Sequence, residues 1–152
     1  MLFRSVIRAN EENVLEQLAE LEQGVDDWSN PQKVALWKGF TRGYMVLRSF
    51  DDVFRLWMKI AELSPNDLDI RRRYFDLGRE RSDEAKMNEG LDMMANVVGK
   101  DSTEWRLAEA TRLTWRVSEG HDGREQLETV DRMLREIYEV RPNWPLVLRA
   151  RA

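Results

Sequence analysis

Apolar residues recur along the chain at three- and four-residue intervals, and no stretch sustains a two-residue alternation, so the pattern predicts helices throughout and no strands. Residues 10–24 carry Val14, Leu15, Leu18 and Leu21 on one face, open on Asn10-Glu11-Glu12 as cap and acidic first turn, and stop at a glycine. A second helix starts at Asn30-Pro31, with proline in its opening position, and runs to about residue 47. After a turn at Ser49-Phe50-Asp51, a third ends near Leu63. Asn66-Asp67 caps a fourth, to about Arg81, and Ser82-Asp83 a fifth, to about Val98. Asp101 with Glu104, and Asp122 with Glu125, have the spacing of capping boxes for two more, ending near Glu119 and Val140. The pattern reads as a row of antiparallel helix pairs.

The prolines show that the row repeats. Only Pro31, Pro65, Pro142 and Pro145 occur; the first two stand 34 residues apart, and the 77 from Pro65 to Pro142 divide into a unit of 34 ending near Gly99 and one of 43. Residues 53–66 align without gaps on residues 130–143, with Val53/Val130, Arg55/Arg132, Ile60/Ile137, Glu62/Glu139, Pro65/Pro142 and Asn66/Asn143 identical. Trp57/Leu134 and Leu63/Val140 keep apolar character, and a weaker third copy runs through Met87, Leu91, Met94 and Val98. Trp57 and Ile137 are expected in the core at equivalent depth.

Numbered from Val34, this unit resembles a tetratricopeptide repeat: Trp37, Tyr44, Trp57 and Pro65 fall on the family's tryptophan, tyrosine, second-helix aromatic and terminal proline. Tyr74, Phe75, Leu91 and Met94 take family core positions in the next unit. The family's small-residue positions instead carry Thr41, Val53 and Ile60, then Phe75, Met87 and Met94, so its usual interhelix angle is not carried over. The resemblance implies an all-α fold, a right-handed superhelix of antiparallel helix pairs. Its expected parts are a leading helix at 10–24, units at about 30–65, 66–99 and 101–142, and a truncated half unit at 143–152. The half unit leads to the expectation of one helical-repeat domain excised from a longer array, able to self-associate through its cut ends.

Composition narrows the chemistry. The 152 residues hold no cysteine, so thiolate zinc sites, disulfides and cysteine nucleophiles are excluded. The single histidine, His121, sits in a Gly- and Asp-rich loop expected to be a solvated turn, and no glycine-rich phosphate loop or nucleophile-elbow motif occurs. No catalytic residue, metal site or cofactor is expected, and the chain reads as a non-enzyme. A net charge of −4 weighs against nucleic acid, and no apolar run reaches the roughly 18 residues of a membrane span. With no targeting segment recognised, a cytoplasmic chain is the default expectation. Gly39 and Gly43 are expected to let their helix pack closely on the following one, and Trp28 and Trp144 to be partly exposed.

The resemblance implies ligand-facing positions on the first helix of each unit: Lys38, Arg42 and Met45, then Asp69, Arg72, Asp76 and Arg79. Lys38, Arg42, Arg72 and Arg79 would suit an acidic peptide. The family's clamp for a peptide C-terminus wants asparagine where Arg42 and Asp76 stand, so the clamp is not expected. The leading functional reading is a non-catalytic scaffold binding a protein or extended peptide. An RNA-processing or RNA-binding helical-repeat scaffold of the half-a-TPR kind, and an accessory helical domain of a larger enzyme, stay open as alternatives.

Overall fold

A computed structural model describes residues 13–145, and all regular structure among them is helical. Helical residues 13–21 (α1) are followed by α2 (Asn30–Val46), α3 (Phe50–Leu63), α4 (Leu68–Glu80), α5 (Glu84–Val98), α6 (Thr103–Ser118) and α7 (Gln126–Val140). The chain divides into two compact units, Met1–Pro65 and Asn66–Ala152. The expected helix start at residues 10–12 and most of the half unit at 143–152 lie outside the described residues.

In the first unit α2 begins at Ser29, whose N–H and hydroxyl both donate to the Gln32 side chain (3.0 and 2.8 Å), with Pro31 in the first turn. α2 and α3 enclose a core of Trp37, Tyr44, Val53, Leu56 and Ile60, together with Thr41. α1 is tied to this pair by one carboxylate. Glu22, only 7% exposed, accepts from the Tyr44 hydroxyl (2.7 Å) and from both terminal nitrogens of Arg55 (2.7 and 2.8 Å). Burial pushes the Glu22 carboxyl up, but these hydrogen bonds and the Arg55 and Lys59 charges outweigh it and hold the pKa below its ordinary value.

The glycine pair of α2 departs from expectation. A Cβ on Gly39 would meet nothing within 4 Å, and one on Gly43 would meet Leu18 of α1 at 3.5 Å, so neither glycine serves packing on the following helix. Trp57 departs too. It is half-buried while its neighbour Leu56 is fully buried, whereas the aligned copy buries Leu134 and leaves Met133 partly exposed. Val53 and Ile60 are buried as Val130 and Ile137 are, but α3 also buries Phe54 and Ala61, a wider face in which Leu56 is enclosed more fully than Trp57.

In the second unit, side chains of Asp67, Asp83 and Ser102 cap α4, α5 and α6 by accepting from backbone N–H groups at 3.0 to 3.3 Å. Ser102 thus takes the place expected of Asp101. Asp122 does not cap α7; its carboxylate holds Arg116 at 2.6 Å, and α7 starts at Glu125 without a side-chain cap. Two adjoining cores form: Phe75, Met87, Leu91 and Met94 with Ala108 of α6, and Leu107, Ala110 and Leu113 with Val130, Leu134 and Ile137 of α7. α6 serves both, so within this unit the α4–α5 pair completes its core on the α6–α7 pair.

The α4–α5 contact shows how bulk is accommodated at positions where the family is small. A Cβ on Gly90 would lie 2.8 Å from the Phe75 Cβ, and one on Gly78 would lie 2.9 Å from the Met87 backbone nitrogen. Phe75 therefore faces a glycine and Met87 faces another. The positions 34 residues earlier divide the bulk the other way: Leu56 and Tyr44 stand where Gly90 and Gly78 do, and Thr41 and Val53 where Phe75 and Met87 do, all buried or nearly so.

One turn recurs at the end of α2, α4 and α6. Arg48, Ser82 and Gly120 each adopt positive φ (57°, 52° and 77°). Around them the same two bonds close a Schellman motif: Arg48 N–H to Met45 and Ser49 N–H to Tyr44, Ser82 to Arg79 and Asp83 to Gly78, Gly120 to Val117 and His121 to Arg116. The first two turns lie 34 residues apart and the third 38 further on, because α6 is longer than α4 and α5 longer than α3. The ends of α3 and α7 also match. Ser64 and Arg141, each before a proline, take φ/ψ of −132°/65° and −136°/71°, away from the helical region that a following proline disfavours.

Candidate functional site

The second unit holds a groove of about 880 Å³. Its floor is apolar, from Phe75, Met94, Leu107 and Ala108, and its two described walls are helix faces. On α4 the side chains at 69, 72, 76 and 79 follow helical spacing, which sets Asp69, Arg72, Asp76 and Arg79 in one line. On α6 the facing line is Thr111, Thr114 and Ser118, with Glu104 about two turns before it. Arg141 and Trp144 complete the lining, the guanidinium 5.1 Å from the indole centre.

The charges in the groove balance, with Asp69, Asp76 and Glu104 set against Arg72, Arg79 and Arg141. Glu104 is paired with Arg141 at 2.6 Å, and Asp76 lies 3.9 Å from the Arg72 Nε. Burial raises the Asp76 pKa above its ordinary value against the pull of Arg72, Arg79 and Arg73. Glu104 goes the other way: burial raises it, but bonds from its own backbone, Thr103 and Arg141 bring it below the usual range. Among the described residues Arg79 makes no ion pair.

The α6 wall has a defined polarity. The Thr111 hydroxyl donates to the Leu107 carbonyl (2.8 Å), Thr114 to Ala110 (2.9 Å) and Ser118 to Trp115 (2.7 Å). While these bonds hold, each oxygen has lone pairs left for a donor in the groove.

Of the residues singled out in the sequence, Asp69, Arg72, Asp76 and Arg79 lie together in this groove. Lys38, Arg42 and Met45 lie on the exposed side of α2 in the first unit. The α6 wall was not singled out. Its signal was present as hydroxyl residues at i, i+3 and i+7, but polar residues at that spacing also mark any solvated helix face. His121 is exposed, its ring 5.4 Å from that of Trp115. Trp28 is 44% exposed and Trp144 half-buried.

A second charged cluster knits α5, α6 and the following loop. Arg112 reaches Glu84 (3.1 Å) and Glu109 (2.7 Å), while Arg116 reaches Glu84 and Asp122. Each of these carboxylates is engaged by a guanidinium, which suits them to fixing the loop rather than to proton transfer. Among the described residues no group of three or more His, Cys, Asp or Glu is placed to hold a metal ion, and no helix is long and apolar enough to cross a membrane. Comparison with protein-family models, with curated proteins and with solved structures finds no match.

Proposed function

We propose that the chain is a non-catalytic scaffold of the tetratricopeptide type, a right-handed superhelix of helix pairs that binds a protein or extended peptide in the groove of its second unit. The groove carries the reading: an apolar floor between two polar walls offers an elongated ligand both burial and orientation. The repeat reading is supported by the Schellman turns at Arg48 and Ser82, 34 residues apart, and by the matching exits before Pro65 and Pro142. Acidic peptides fit Arg72 and Arg79 best where Asp76 does not already engage them.

The test is selection from a random-peptide library on the whole chain, with affinities of the selected peptides measured by fluorescence anisotropy. Arg72→Glu with Arg79→Glu should weaken those peptides at least about tenfold while circular dichroism stays helical. Unchanged affinity in that variant would move the site out of this groove.

A further inference from the structure

We infer that the groove's ligand is a peptide strand read through its backbone, which donates two N–H groups along one edge to the hydroxyl row of Thr111, Thr114 and Ser118 and whose acidic side chain reaches Arg79. The inference rests on the peptide-binding reading above and adds the chemistry of recognition.

The α6 wall can accept without breaking its helix bonds but can donate only by breaking them, which favours a ligand that presents donors. Thr111, Thr114 and Ser118 span about 10 Å along the helix axis, at 1.5 Å per residue. A phosphodiester backbone carries acceptors alone and would have to draw each hydroxyl hydrogen away from its helix carbonyl. A helical peptide uses its N–H groups internally and has almost none to give. A polyamine supplies donors but brings several positive charges to a lining that already sets three guanidiniums against three carboxylates. An extended strand presents N–H groups along one edge at every second residue, about 7 Å apart, so the row takes two of them from a stretch of about four residues.

The α4 wall then selects a side chain. Arg72 lies beside Asp76, and Arg141 is held by Glu104. Arg79 is the groove guanidinium without an ion pair among the described residues, so a ligand carboxylate meets it without breaking one, in competition only with the longer-range pull of Asp76. The apolar floor receives side chains on the strand's inner face.

The test uses the tightest peptide from the library selection, synthesised with a fluorescent label. Thr111→Val and Thr114→Val keep shape and remove the acceptors; combined with Ser118→Ala they should weaken the peptide about tenfold or more. Methylating one backbone nitrogen of the peptide should cost about tenfold against the natural chain and little further against the variant lacking its acceptor. Arg79→Gln should weaken peptides carrying an acid and leave their amide counterparts unchanged. If the triple variant fails to fold, Thr114→Val alone, on an exposed position, and the methyl scan against the natural chain carry the test. Peptides that bind yet tolerate every methylation, or bind the hydroxyl-free variant equally, overturn this inference and leave the scaffold reading standing. Selection that yields no peptide overturns both, and displacement of the peptide by a short single-stranded RNA, lost in Arg79→Gln, overturns it in favour of nucleic acid.

Discussion

Glu22 joins three helices through one carboxylate, and that makes it the residue on which the first unit's acid stability turns. Its folded pKa lies below the ordinary 4.5, so its contribution is fully present above that value and is lost as pH falls through the folded value. Glu22→Gln should cost about 2 kcal/mol at neutral pH, the order of a charged hydrogen-bond set. The gap between variant and wild type in urea midpoints should close as the pH drops below 4.5. A gap that persists in acid would show that the substitution disturbs packing instead. This role was not readable from the chain: Glu22 is one of 28 acidic residues, and its partners, Tyr44 and Arg55, are distant in sequence.

Between helices, two glycines of identical type should respond in opposite directions. Gly39 faces open space on α2, so Gly39→Ala should stabilise by about 0.5 to 1 kcal/mol through helix propensity. Gly90 lies against the Phe75 backbone, so Gly90→Ala should destabilise by about 1 to 3 kcal/mol despite the same propensity gain. Thermal melts of both variants decide this, and equal shifts would remove the close α4–α5 approach. The turns offer a parallel case. Ser82 takes φ 52°, where glycine costs least, so Ser82→Gly should raise stability by about 0.5 kcal/mol, and a lowered melting point would count against the strain. Helix boundaries were largely legible because caps and prolines act locally: Asp67, Asp83 and the Ser49 turn stand as the chain announced them. Asp122 misled because a carboxylate with capping spacing found a stronger partner in Arg116, six residues back. Trp57 misled because helical periodicity fixes which face is buried only to within a neighbouring position, and Leu56 took the interior.

At the scale of a whole unit, the core that α6 shares between the α4–α5 and α6–α7 pairs means that damage there should spread to neighbours first. Ile137→Ala, at a fully buried site, should cost about 2 to 5 kcal/mol, and hydrogen exchange should accelerate in α6 and α7 before α4. Uniform acceleration over the second unit would show a single cooperative core. The groove was half legible at this scale. The resemblance to a known repeat put Asp69, Arg72, Asp76 and Arg79 on one ligand-facing line, but which helix stands opposite depends on packing that no local pattern encodes. The longer connection after Gly120 has a practical consequence. The Schellman turn is already closed by His121, and the loop is pinned by Asp122 on Arg116, so the backbone from Gly123 to Glu125 carries neither the repeat geometry nor a core side chain. A fluorescent tag or an epitope spliced between Gly123 and Arg124 should leave the fold intact, giving a labelled chain whose reporter enters no helix.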